Sequence, residues 1–349
     1  MMSSSKTSVG VSSFLRQKVV FTALVILLFV CFLLSLCLGR YSLSPSDVMS
    51  SLFLVASGRE AEVPAMVLNV VLSVRLPRVL MSILVGASLA AAGAAYQSVF
   101  GNPLVSSDVL GVSSGASFGA TLGILLASGN TFLTQGLALV FGLVAVLVVM
   151  VLGHTQEKTH LYMLVLAGVI VKALFDALVS LIKYVSDPYD KLPAIITWLM
   201  GSLSSASYGD VKVVAGVCIP CILVLIGLRW KLNLLSLDEE EAATLGVNVS
   251  RLRGAVLLVA TFMTATTVSL CGVIGWVGLV IPHMGRMLAG NDYRALIPNS
   301  LLMGASYLLL MDDLARTLTT AEIPLSILTA IVGAPIFAYM LRRTGQGSL

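Results

Sequence analysis

Charge is what this sequence has least of. Only 11% of its 349 residues are Asp, Glu, Lys or Arg, against about 25% in soluble domains. That shortage excludes an ordinary soluble domain. No Gly-rich loop ends in Gly-Lys-Ser/Thr, so the chain has no Walker motif and is not expected to hydrolyse ATP. Histidines number three, His154, His160 and His283, and none has a partner at metal-ligand spacing. No Ser/His/Asp arrangement is present. The five cysteines, Cys31, Cys37, Cys218, Cys221 and Cys271, all fall in or beside apolar segments. Cys218-Ile-Pro-Cys221 has C-x-x-C spacing without a second ligand pair, so these read as structural thiols. The expectation is therefore no catalytic residue, no metal site and no cofactor. A net charge of +4 is too weak to point to nucleic acid.

Apolar residues fill the space that charge leaves. They make up 58% of the chain, and the mean hydropathy is +1.00. After Lys6, Arg16 and Lys18 comes an apolar run of 20 residues, Val19 to Leu38. It is too long for the core of a signal peptide and no A-x-A site follows, so it reads as an anchor helix. A spanning helix needs about 20 mostly apolar residues. Ten segments qualify: 17–38, 76–99, 107–127, 133–153, 160–184, 209–229, 250–271, 275–289, 294–317 and 324–343. The eighth is short. Gly39 to Arg75 reads as a polar, proline-bearing loop. Pro193 to Leu203 is too short to span and reads as re-entrant or interfacial. No charged linker divides the chain. Residues 1–349 are expected to form one transmembrane domain, with a cytoplasmic tail at 1–16 and a cytoplasmic coupling region at 230–249.

Basic residues set the orientation. With the N-terminus in the cytoplasm, twelve Lys or Arg lie inside and six outside. An even helix count returns the C-terminus to the cytoplasm. A weak internal echo links the run before Gly101-Asn-Pro-Leu104 to Gly278-Leu-Val-Ile-Pro-His283. One span runs inward and the other outward, as inverted repeats require.

Gly111, Gly115, Gly119 and Gly123 recur every fourth residue, a groove for close helix packing. Asp238 to Glu241 place four acids at a helix N-terminus, where the dipole favours them. Ala242, Ala243 and Leu245 give that helix an apolar side, and Gly246 ends it. It reads either as a solvated loop helix or as a knob docking into a cytoplasmic partner. Lys172 and Asp176 lie near the middle of a span, four apart and on one face. Asp312 and Arg316 repeat that spacing, with Asp313 alongside. Each set reads as a structural ion pair or as a polar translocation pathway, because charge within a bilayer is costly. Arg75-Leu-Pro-Arg78 opens a span on the outer side. Its arginines read as snorkelling anchors or as a docking site for an acidic partner through bidentate contacts.

Taken in order, the motifs resemble the FecCD-type permease family, importers of iron-siderophores, haem and cobalamin. The matching runs begin with Arg75-Leu-Pro-Arg78, Leu84-Val-Gly-Ala-Ser-Leu-Ala-Ala-Ala-Gly93, Gln97, Gly101-Asn-Pro-Leu104 and Leu110-Gly-Val-Ser-Ser-Gly115. They continue through Leu166-Ala-Gly-Val169, Trp198-Leu-Met-Gly-Ser-Leu203, Leu245-Gly-Val247 and Gly275-Trp-Val-Gly-Leu-Val-Ile-Pro-His-Met-Gly-Arg286. Asp312-Asp-Leu-Ala-Arg316, Glu322-Ile-Pro324 and Gly333-Ala-Pro335 complete the set.

The resemblance implies an all-α membrane protein with the type II ABC importer permease fold. It would have about ten transmembrane helices, lie in the bacterial cytoplasmic (inner) membrane and pair with a second permease subunit. Two ATP-binding subunits and a periplasmic or lipid-anchored substrate-binding protein are the implied partners. The resemblance also implies that Arg75, Arg78 and Arg316 dock the binding protein. Asp238, Glu239, Glu241, Leu245 and Gly246 would then couple to the ATPase. Glu241-Ala-Ala-Thr-Leu-Gly246 is one residue short of the importer pattern E-A-A-x3-G.

Segments 160–184 and 324–343 line the pathway in the family, which puts Lys172 and Asp176 there. Relatives usually carry small or neutral residues at those positions. Leu161 and Tyr162 fall at the cytoplasmic gate, where cobalamin-importing members have small hydroxyl residues. The absence of a haem-ligating pair favours an iron-siderophore as cargo, with haem or cobalamin as alternatives. An ion-coupled secondary transporter is a rival reading, resting on Asp176 and Asp312 as relay groups. A purely structural membrane partner is another.

Overall fold

The computed structural model describes residues 4–39, 41, 43–59, 63–127, 129–153, 161–236 and 244–345. Among them every regular element is helical. The helices are α1 (Ser4–Cys37), α2 (Pro45–Ala56), α3 (Ala65–Leu68), α4 (Leu76–Phe100), α5 (Val112–Ala127), α6 (Thr131–Gly153) and α7 (Leu161–Val185). They continue with α8 (Lys191–Leu199), α9 (Tyr208–Leu232), α10 (Val249–Cys271), α11 (Val277–Ala289), α12 (Tyr293–Thr317) and α13 (Leu325–Gly345). A π-helical stretch, Asn69–Arg75, joins α3 to α4 without a break. Eight of these rods are long and apolar enough to cross a membrane. Two further expected spans are helical but short: α5 has 16 residues and α11 has 13.

The small-residue composition of α4 places it at the centre. From Val85 to Phe100 every side chain is buried, and most are Ala, Gly or Ser. Lipid offers no hydrophobic drive between helices, so close backbone approach has to supply the packing. A Cβ on Gly86 would overlap the carbonyl of Gly304 in α12, and one on Gly93 would overlap that of Gly278 in α11. The glycine groove is present too. Gly115 and Gly119 press on the carbonyls of Phe141 and Leu137 in α6, and Gly123 presses on Thr134. Gly111 differs: at φ +70 it ends the turn Ser107–Leu110 instead of packing on α6. At the periphery, α1, α9 and α13 leave most of their apolar surface exposed.

The stretch Gly39–Arg75 is not the loop its polarity predicts. It carries α2, α3 and the π stretch. Helix α2 opens on a capping box: Ser44 Oγ accepts from the Asp47 N–H while Asp47 accepts from the Ser44 N–H, with Pro45 in the first turn.

Three chain breaks meet beside α8. The Ser202 N–H donates to the Cys271 carbonyl (2.8 Å), which ends α10. The Leu325 and Ser326 N–H groups, at the start of α13, donate to the Gly201 and Met200 carbonyls at 3.1 and 3.2 Å. The exit of α8 is thereby tied by backbone to both α10 and α13. Gly272 is needed here: its φ is +70, and a Cβ would strike the Trp198 carbonyl oxygen.

Candidate functional site

Three arginines collect where α1 and α12 end and α4 begins. All are buried: Arg75 is 4% exposed, Arg78 7% and Arg316 5%. Each has a different set of partners.

Arg75 is the last residue of the π stretch and caps α1. Its Nη1 donates to the carbonyls of Leu36 (2.6 Å) and Cys37 (2.8 Å), and its Nη2 to that of Tyr41. A helix end leaves such carbonyls without partners, and a guanidinium satisfies both them and the dipole. Gly39 passes so close that a Cβ would lie 2.8 Å from Arg75 Nη2.

Arg78, one turn later, bridges two carboxylates. Its Nε reaches both Asp312 oxygens at 3.0 Å, and Nη2 reaches Asp312 Oδ1 at 2.9 Å. The outer edge of the guanidinium meets Glu322 through Nη1–Oε1 at 2.9 Å and Nη2–Oε2 at 3.0 Å. Arg316 donates to Asp313 and to the carbonyl and hydroxyl of Ser35. The Ser35 hydroxyl also donates to Asp313 at 2.7 Å.

The Asp312–Arg316 ion pair that the i, i+4 spacing predicts is present at 3.9 Å, but it is the longest contact of the cluster. The close contacts run from Arg78 on α4 to Asp312 on α12, and from Arg316 to its i−3 neighbour Asp313. Nor do the arginines snorkel, since their heads are enclosed by protein. Three guanidinium groups balance three carboxylates. Beside them lies a cavity of about 460 Å³ lined by Gly39, Arg316, Thr317, Leu318, Thr319 and Thr320.

The second candidate feature is on α7. Lys172 Nζ and Asp176 Oδ2 are 3.2 Å apart, and their side chains are 48% and 52% exposed. They sit among exposed apolar neighbours of the same helix, Val169, Ile170 and Leu174. At the N-terminal end of α7, Leu161 is half-buried and Tyr162 exposed. The α7 pair and the arginine cluster are separate sites.

Of the coupling residues, Asp238, Glu239 and Glu241 lie outside the described residues. Leu245 is 56% exposed, and Gly246 turns the chain at φ +73 ahead of α10.

A cavity of about 660 Å³ lies against α8. Thr197, Trp198, Ser202, Ser205, Ser269 and Gln135 contribute to its wall. Among the described residues no cluster of His, Cys, Asp and Glu could hold a metal ion.

In the sequence, Glu322 stands out only as part of a motif, and Ser35 not at all. Their partners are 244 and 281 residues away, beyond the reach of any local spacing rule. The π stretch that turns Arg75 inward has no sequence signature either.

The family model of the FecCD transport family matches residues 27–343. The chain is 41% identical over 329 residues to the molybdate import system permease protein MolB of Haemophilus influenzae, covering 93% of this chain and 96% of that one. It is 39% identical over 278 residues to the hemin transport system permease protein HmuU of Yersinia pestis, covering 78% and 83%. A solved chain described as an inward-facing ABC transporter of metal-chelate type superposes with a TM-score of 0.83 at 39% identity, covering 93% and 98%. The family model and these relatives show that this chain belongs to the FecCD transport family of ABC importer permeases.

Proposed function

We propose that the chain imports an anionic metal complex, an iron-siderophore or related chelate, handed over by a binding protein. Lys172 and Asp176 carry this reading. An ion pair about half exposed on a spanning helix is costly against lipid. Water or a second permease subunit facing that side of α7 removes the cost. A polar stripe there suits a hydrophilic, charged cargo. Leu161 and Tyr162 are proposed as the cytoplasmic gate of the same path.

The permease does no covalent chemistry; it works with ATP-binding subunits and a substrate-binding protein. It sits in the cytoplasmic membrane. ATP-driven closure of the partner subunits moves the region around Asp238 to Gly246 and rocks the helices, which alternates access. On the outer side the binding protein docks over the cluster of Arg75, Arg78 and Arg316.

A second reading is a metal oxyanion, favoured by the 41% identity to a molybdate permease over almost the whole chain. Both cargoes are anions, so the α7 pair does not separate them. Proteoliposomes holding the permease, its ATPase and its binding protein decide the matter. Uptake of radiolabelled ferric siderophore is expected, and it must be sensitive to vanadate. Uptake of labelled molybdate alone would replace the first reading with the second. Vanadate-insensitive uptake driven by an ion gradient would overturn both.

A further inference from the structure

The two carboxylates on Arg78 are not equivalent. Asp312 is a helix residue with a fully buried side chain. Glu322 belongs to the connection between α12 and α13, and its side chain is 30% exposed. Residues 318–321 of that connection are exposed throughout. Glu322 is thus the only carboxylate on Arg78 that solvent, or another protein, can reach. It occupies a complete bidentate edge of the guanidinium.

The connection leads straight into load-carrying backbone. The Ile323 N–H donates to the Ala315 carbonyl at 3.1 Å, and Leu325 and Ser326 then hold Gly201 and Met200 at the exit of α8. Only two residues, Ile323 and Pro324, therefore separate Glu322 from the junction of α8, α10 and α13.

We propose that Glu322 is a placeholder for an acidic side chain of the binding protein, and that exchange of one carboxylate for the other releases the start of α13. This rests on the docking reading given above. Carboxylate-for-carboxylate exchange keeps both charge-assisted bonds, so it leaves Arg78 paired throughout. Opening the pair with nothing in its place strands one edge of a buried guanidinium, which is strongly unfavourable. Glu322 therefore stays in place until an acidic group arrives, and its 30% exposure beside the exposed residues 318–321 leaves it open to one. Glu322 is a positioning residue: it acts through Arg78 on one side and through α13 on the other.

The test uses the permease assembled with its ATPase in nanodiscs, with the cargo-loaded binding protein immobilised. Removing the competitor in Glu322→Gln tightens docking by about tenfold, while Glu322→Asp keeps the carboxylate and stays near the parent. A purely structural Glu322 gives the opposite sign, because its loss loosens the docking surface. Arg78→Lys, which keeps charge but loses the fork, serves as the control for docking itself. If Arg78→Lys leaves affinity unchanged, the docking reading fails. If Arg78→Lys weakens binding while Glu322→Gln is neutral or weaker, docking stands and the placeholder is overturned. A second measurement needs no variant. Amide exchange across residues 317–326 of the parent rises when the binding protein is added, and an unchanged rate overturns the proposal.

Discussion

Gly93 and Gly278 touch backbone to backbone where α4 crosses α11, leaving no room for a Cβ on Gly93. Gly93→Ala must push the helices apart. Overpacking of this kind costs about 1–3 kcal/mol, and here the obstacle is backbone, which has no rotamer to change. The melting temperature of the purified protein should fall clearly. On α9, a Cβ added to Gly216 would meet nothing within 4 Å, so Gly216→Ala serves as the control. It should be neutral or slightly stabilising, as Ala is in a helix interior. Equal melting of the two variants would remove the crossing from the account.

The Arg78–Asp312 pair makes a different prediction. Asp312 is fully buried between α4 and α12, so removing one partner strands a charge. Breaking a buried pair typically costs about 3–5 kcal/mol, whereas replacing both partners with apolar groups is often neutral. Asp312→Leu alone should be severely destabilised. Arg78→Met with Asp312→Leu should recover part of the loss but not all, because Glu322 also loses its partner. Thermal unfolding of the two variants and the parent checks the order.

Most helix positions were legible because long apolar runs admit only one reading. Segments 133–153, 160–184 and 250–271 became Thr131–Gly153, Leu161–Val185 and Val249–Cys271. The errors lie where tertiary partners decide. Helix α2 was legible after all: Ser44-Pro-Ser-Asp47 spells a capping box with proline at the first position. The closest contacts of the arginine cluster were not legible. The i, i+4 rule identifies neighbours on one helix, and it works for Lys172–Asp176, an exposed pair on one face of α7. At Asp312 it finds only the longer contact, 3.9 Å to Arg316, because a buried arginine from α4 offers a closer, bidentate fit.

Lys172 is the residue for testing the pathway. Its pair with Asp176 is half exposed, and exposed pairs contribute roughly 0–1 kcal/mol. Lys172→Ala should therefore leave melting almost unchanged while lowering uptake of an anionic cargo several-fold. Asp176→Ala, which leaves the cation, should not lower it comparably. Unchanged transport of every ligand tested in Lys172→Ala would end the pathway role.

The far end of the bundle carries a pH-dependent brace. Asp292 precedes α12 and caps it, accepting from the Arg294 N–H at 2.9 Å, from the Arg294 guanidinium and from Asn233 Nδ2 at 2.9 Å. Asn233, just after α9, returns the favour by accepting from the Tyr293 N–H at 3.0 Å. Partial burial pushes the Asp292 carboxyl upward, but the hydrogen bonds from Arg294 and Asn233 outweigh it and hold the group below the ordinary carboxylate range. A depressed carboxyl stabilises the fold above its unfolded value, about 3.9 for Asp, and that stabilisation is lost as pH falls through the lower folded value. Asp292→Ala should cost about 0.5–2 kcal/mol near neutrality, as loss of a helix cap does. Its stability gap to the parent should then shrink as pH is lowered below the ordinary carboxylate range, because the parent protonates and loses the same contacts. Melting curves of both proteins from neutral to acid pH measure the gap, and a gap independent of pH would show that the Asp292 charge carries none of the brace.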